Sequence, residues 1–182
     1  MCDRMVPLAC TTRVLVLQHP QEADHLLGTV PLLEGSLPVT MRVGLSWSSL
    51  TTALGETVDP GRWGVLFPDR EHVGIIDRKG EPVKRRLQGI VVLDGTWTQA
   101  KTLWWRNAWL LKLARVSLRP TAPSIYGRLR REPSPTHTST LEAVALAFEA
   151  IREPPETSEG LRRLMRTLAQ RIRDAKRAEV GQ

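Results

Sequence analysis

An α/β domain with a mostly parallel sheet flanked by helices is the fold class this sequence predicts, on three observations. Short β-branched runs alternate with longer stretches of helical spacing, the pattern of βαβ units. Gly89 to Leu93 (GIVVL) is apolar at nearly every position and stops at Asp94-Gly95, as a strand covered on both faces should. The length of 182 residues, with 41% apolar and 25% charged residues, suits one domain with an ordinary core.

Taken in order, Thr12 to Gln18 (TRVLVLQ) reads as a buried strand. His19 to Leu33 follows with helical spacing of Ala23, Leu26, Leu27 and Val30, weakened by Gly28 and Pro31. Val39 to Leu45 is a second strand, and a short polar segment surrounds Ser48 to Leu54. Trp63 to Phe67, stopped by Pro68, and Val73 to Ile76 are further short strands, and Lys79 to Arg86 suits an exposed loop. After the Gly89 strand a helix is predicted from Thr98 to Leu110, then a strand from Lys112 to Leu118. Thr121 to Thr138 carries Pro123, Pro133 and Pro135 and reads as an irregular loop. Ser139 and Glu142 stand three apart before an apolar run to Ile151, a capping box opening a helix that Pro154-Pro155 ends. An amphipathic helix closes the chain from Ser158 to Ala178, with Leu161, Leu164, Leu168 and Ile172 on one stripe.

No apolar stretch approaches the ~18 residues of a membrane span, and Met1 to Cys10 has no signal-peptide core, so a membrane-free, cytoplasmic protein is expected. Two cysteines, Cys2 and Cys10, are too few for a disulfide scaffold or a four-ligand zinc site. Charge is more telling. The net charge is +7, and 21 of the 26 bases are arginine, whose planar fork grips phosphate. Lys101, Arg106, Lys112, Arg115, Arg119, Arg128, Arg130 and Arg131 stand in a 37-residue stretch, Gly95 to Arg131, that holds no acid. A solvated basic face would look similar, but interleaved tryptophans favour a footprint for a polyanion. Ala100, Trp104, Ala108 and Leu111 share one stripe of the predicted helix and should be core. Trp105 lies with Lys101 and Trp109 on the other, available to stack on a base or to pack peripherally.

Ligands in parallel sheets collect outside the carboxyl ends of the strands, here His19-Pro20-Gln21-Glu22 and Asp94-Gly95-Thr96-Trp97. Asp94 reads equally as a turn aspartate or as a catalytic carboxylate at a cleft. Thr138-Ser139-Thr140 places hydroxyls at a helix start, which offers backbone N–H groups to an anion but is also explained by plain capping.

These motifs together resemble the DTW-domain family. Asp94-Gly95-Thr96-Trp97 matches its D-x-T-W signature, Ser139-Thr140-Leu141-Glu142-Ala143 its second signature, and His19-Pro20-Gln21-Glu22 with Thr29 its H-P-x-E segment. Phe67-Pro68 and Tyr126 to Arg131 also fall at fitting places, so the resemblance runs from about Thr12 to Ile151. It implies a tRNA-uridine aminocarboxypropyltransferase that moves the 3-amino-3-carboxypropyl group of S-adenosylmethionine to N3 of a uridine. It also implies a SPOUT-like fold with a C-terminal trefoil knot. Residues 1–11 would be a remnant of the family's N-terminal cysteine segment and residues 12–182 the DTW domain with its C-terminal helix. About half the family's cysteines are missing there, so no structural zinc is expected and no metal.

Carried onto this sequence, Asp94 is the expected base for the uracil N3 proton, with burial or departure of the sulfonium supplying the drive. His19, Leu93, Gly95, Thr96, Trp97, Ser139, Thr140 and Glu142 are expected around S-adenosylmethionine, with the start of the second-signature helix taking its carboxylate and Glu142 or Glu22 near its ammonium. His19 could equally make a structural hydrogen bond. Lys101, Trp105, Arg115, Arg119, Arg128, Arg130 and Arg131 are expected to meet tRNA, with no obligate protein partner. Two other readings compete: a SPOUT-type RNA methyltransferase, and a non-catalytic RNA-binding module.

Overall fold

A computed structural model describes residues 7–23, 28–67, 73–118, 124–125 and 138–180. Six strands form one sheet: β1 (Arg13–Gln18), β2 (Val39–Val43), β3 (Trp63–Leu66), β4 (Gly74–Ile76), β5 (Gly89–Asp94) and β6 (Ala114–Ser117). Their spatial order is β2-β1-β5-β3-β6-β4, parallel throughout except for the antiparallel edge strand β4. All six predicted strands are therefore present, each trimmed by one to three residues or, for β5, extended by Asp94.

Successive residues of a strand face opposite sides, so β1 divides its apolar residues between two cores. Val14 and Val16 join Ile90 and Val92 beneath α1 (Val30–Glu34), α4 (Thr140–Ala150) and α5 (Pro155–Val180). Leu15 and Leu17 join Val91, Val65 and Trp63 beneath α2 (Leu50–Leu54), α3 (Trp97–Arg106) and the 3-10 segment Ala108–Lys112. The result is three layers with helices on both faces. β5 sits inside the sheet, which is why its run had to be apolar on both sides. Gly89 opens it because the Trp63 indole lies over that position: a Cβ there would come within 2.5 Å of the ring.

Two helix expectations are corrected. His19 to Leu33 is not one helix: a 3-10 turn spans Pro20–Glu22 and α1 begins only at Val30, with Leu26 and Leu27 outside the described residues. The Thr98 to Leu110 helix ends at Arg106, because Asn107 is fully buried and turns its side chain to a distant loop. Its Nδ2 donates to the carbonyls of Leu45 (3.0 Å) and Leu103 (2.7 Å), and its Oδ1 accepts from the Trp47 amide (2.8 Å). The tighter 3-10 turn that follows shifts the register. Trp109 and Leu110 go inside while Ala108 and Leu111 come out, the reverse of the predicted stripe.

α4 is fastened at both ends. Beyond its carboxyl end, the buried Glu153 accepts from the Thr11 amide (2.9 Å) and from the hydroxyls of Thr11 and Thr12 (both 2.7 Å) at the start of β1. Its amino end, eleven residues or about 16 Å away by helical rise, lies where β1 and β5 leave the sheet. A concavity lined by Glu149, Arg152, Glu153 and Arg162 belongs to the Glu153 end of α4, away from the strand exits.

Candidate active site

From β1 the chain passes to the neighbouring β2, whereas from β5 it passes in the other direction, across β3 to β6. Strands whose connections diverge leave a crevice between them at their carboxyl ends, the usual place for a ligand in such a sheet. Gln18 and Asp94 are register partners at that point, and the His19 amide donates to the Asp94 carbonyl at 2.9 Å. Both side chains point to the α4 face, because they continue the Val14-Val16 and Ile90-Val92 alternation.

The buried Asp94 carboxylate is held from both sides. Gln18 Nε2 donates to Oδ2 at 2.8 Å, and the Thr140 hydroxyl donates to Oδ1. Each oxygen accepts one bond and keeps capacity for another. Segments 46 and 76 residues away from Asp94 therefore converge on one carboxylate, and the expected meeting of Asp94 with the Ser139-Thr140 helix start is realised.

Around this centre the turns are built by local chemistry. Thr96 caps α3 in a capping box with Gln99, a T-x-x-Q spacing that overlaps the signature and that the sequence reading did not single out. Gln99 Nε2 also donates to Gln21 Oε1 (3.1 Å), tying the β5 exit to the β1 exit. Gly95 has φ +157°, and a Cβ there would press to 2.9 Å from Gln99 Cβ and 3.4 Å from His19 Cβ. No other residue allows the two exits to approach so closely. His19 caps the 3-10 turn, its Nδ1 accepting from the Gln21 amide at 3.3 Å. Leu93 is half-buried against the α3 face, and Trp97 is half exposed, with Lys101 Nζ 5.8 Å from its ring centre.

At α4, Ser139 and Glu142 form the predicted capping box. Glu142 is more committed than expected. It accepts from the Ser139 amide (2.9 Å) and hydroxyl (2.8 Å), from the Ser124 hydroxyl (2.8 Å) and from the Ile125 amide (2.6 Å). Four donors on two oxygens make it the strap that holds residues 124–125 against α4. The Leu141 amide donates to Thr29 Oγ1 (3.3 Å) and the Glu142 amide to Ser139 Oγ (3.2 Å), so among the described residues Thr140 alone keeps an N–H of that first turn without a partner.

Of the expected RNA contacts, Lys101 and Trp105 are exposed on α3, and Arg115 is half-buried in β6 between β3 and β4. Arg119, Arg128, Arg130 and Arg131 lie outside the described residues, as do Cys2, Pro68, Tyr126 and most of Thr121 to Thr138. Gln18 is the site residue that sequence reasoning missed. The signal was present, since it ends its apolar strand as Asp94 ends its own. Among the described residues, no group of three or more His, Cys, Asp or Glu could hold a metal, and no helix is long and apolar enough to cross a membrane. Cys10 is a free thiol pushed up to about 11, by burial and then by the charge of Glu153.

A family model described as the DTW domain matches residues 1–173, nearly the whole chain. This chain belongs to the DTW-domain family. It is 31% identical over 171 residues to "tRNA-uridine aminocarboxypropyltransferase 2" of Mus musculus, covering 89% of this chain and 55% of that protein. It is 28% identical over 169 residues to the protein of the same name from Drosophila melanogaster, covering 89% and 65%. To "tRNA-uridine aminocarboxypropyltransferase A" of Arabidopsis thaliana it is 27% identical over 190 residues, covering 89% and 70%. The chain thus spans about half the length of the mouse relative. No solved structure matches it.

Proposed function

We propose that this chain is a tRNA-uridine aminocarboxypropyltransferase, with Asp94 as general base for the uracil N3 proton. The observation that carries the reading is the Asp94 carboxylate, buried at the β1–β5 crevice and oriented by Gln18 and Thr140. The names of its relatives support the substrate class.

The donor set suits the amino-acid end of S-adenosylmethionine, which presents a carboxylate and an ammonium. The Thr140 N–H at the start of α4 is positioned for the carboxylate, at the positive end of the helix dipole. Glu22, in the turn after His19, or Glu142 at the start of α4 stands near the ammonium in this reading, and the Glu142 oxygens also accept from Ser139, Ser124 and Ile125. Bound there, S-adenosylmethionine supplies an aminocarboxypropyl chain activated by its sulfonium, with methylthioadenosine as leaving group.

The chain's own residues do the rest. Uracil N3 is a poor nucleophile while protonated, since its lone pair is spread over two carbonyls. Asp94 takes that proton on a lone pair left free by Gln18 and Thr140, and holding the base at hydrogen-bond reach supplies the acceleration. Leu93, Gly95, Thr96 and Trp97 form one wall; His19, Ser139 and Thr140 form the other. Lys101, Trp105, Arg115, Arg119, Arg128, Arg130 and Arg131 belong to the tRNA contact in this reading, and the cytoplasm is its compartment. The proposal includes the SPOUT-like trefoil knot. It rests on the family resemblance of the Asp94-Gly95-Thr96-Trp97 and Ser139 to Ala143 motifs.

Nucleoside mass spectrometry of tRNA incubated with the chain and S-adenosylmethionine tests the reading. A uridine carrying the aminocarboxypropyl mass is expected, absent with Asp94→Asn. A methyl-sized adduct would instead make the chain a methyltransferase. RNA binding with no adduct of either kind would make it a binding module.

A further inference from the structure

Trp105 is 76% exposed, although an indole is among the side chains that gain most from burial. Its neighbours give the exposure a meaning. Trp97, Lys101 and Trp105 fall at successive steps of four along α3, so they share one face of the helix, and all three are exposed. Each step rises about 6 Å, and the row starts at the residue that closes the D-x-T-W signature, at the mouth of the Asp94 crevice. Ring, cation, ring is the order in which an unpaired strand presents base, phosphate, base. Lys101 Nζ lies 5.8 Å from the centre of the Trp97 ring, so its charge is held on this face beside the first indole.

Resting on the proposed function, we infer that this face of α3 is a track for single-stranded RNA leading out of the site. Lys101 meets the phosphate beyond the reacting uridine, and Trp105 stacks on an unpaired base further along. Trp97 and Trp105 are about 12 Å apart along the helix, which a strand stacked at about 3.4 Å per nucleotide spans in three or four residues and a splayed strand in fewer. The stacked base therefore lies within about four nucleotides of the target. Stacking on an aromatic face tolerates any base, so the track selects strandedness and not sequence.

Charge chooses between the occupants of such a face. No acid occurs from Gly95 to Arg131, and Lys101 and Arg106 flank Trp105. A second copy of this chain would bring like charge against like, whereas a polyanion is attracted.

The test is binding of a short oligouridine strand, and of an RNA duplex of equal length, to wild type, Trp105→Ala and Trp105→Phe. Trp105→Ala should bind the strand roughly five- to a hundredfold more weakly and leave the duplex unchanged, while Trp105→Phe stays close to wild type. Lys101→Gln should flatten the dependence of strand affinity on log salt by about 0.7. An unchanged melting temperature for Trp105→Ala confirms that the fold is intact. Equal strand affinity of wild type and Trp105→Ala overturns the track, as does an equal loss on strand and duplex. Conversion of a wild-type dimer to a monomer by Trp105→Ala, with RNA binding unaffected, assigns the face to a second copy instead. These readouts need no turnover, so absence of the aminocarboxypropyl product removes the proposed reaction without deciding the track.

Discussion

Glu153→Gln should destabilise the protein by about 3 kcal/mol at neutral pH, and the loss should fade in acid. Burial alone would push the Glu153 carboxyl up, but the hydroxyls of Thr12 and Thr11, the Thr11 amide and Arg86 outweigh it and bring it from 4.5 down to about 2. The side chain is fully buried, so little of this is screened by solvent. Arg86 stands 3.4 Å away and more than half exposed, so the hydroxyls and the amide carry most of the effect. A drop of that size is worth about 3 kcal/mol at about 1.4 kcal/mol per pKa unit. Because the folded value is the lower one, the stabilisation is complete above pH 4.5 and is lost as pH falls through about 2. By pH 3 roughly 1.4 kcal/mol should remain. Glutamine keeps the shape, yet presents an amide donor to the Thr11 N–H. Urea denaturation of wild type and Glu153→Gln from pH 7 to pH 3 measures the difference directly. A gap that does not narrow with acid, or one below about 1 kcal/mol at pH 7, would refute the reasoning. The consequence reaches the site, because this carboxylate fastens the end of α4 opposite Thr140.

Cys10, with its thiol near 11, should alkylate slowly at pH 8, and faster in Glu153→Gln, where the neighbouring charge is gone; peptide mass spectrometry separates it from Cys2. Gln18→Met should lower the rate of transfer tenfold or more, because a buried carboxylate loses a donor worth about 1.5–3 kcal/mol, while the melting temperature still reports a folded chain. An unchanged rate would remove Gln18 from the site. Gly95→Ala should cost about 1–3 kcal/mol and impair transfer, since its Cβ would sit 2.9 Å from Gln99 Cβ; urea melts and the nucleoside assay read the two effects. Asn107→Leu should cost about 2–4 kcal/mol in urea melts, because it strands the Trp47 amide and the Leu45 carbonyl.

What could be read from the chain was what depends on near neighbours. Six strands, the capping box of Ser139 with Glu142, and the position of Asp94 at a strand end are all written in local runs of residues, because strand alternation and helix caps are satisfied within a few positions. The continuous helix through Asn107 failed for the same reason. Local spacing favoured it, but the Asn107 side chain is spent on a loop about 60 residues away, and no window of sequence contains both partners.

The composition of the site was decided only when the sheet assembled. Strand order sets β1 beside β5, and only then does Gln18 stand opposite Asp94. Packing of α4 on that face brings Thr140 to the same carboxylate and leaves Glu142 to bind Ser124 and Ile125. A sequence states which groups can donate and accept; which of them are near enough to do so is a property of the folded distances.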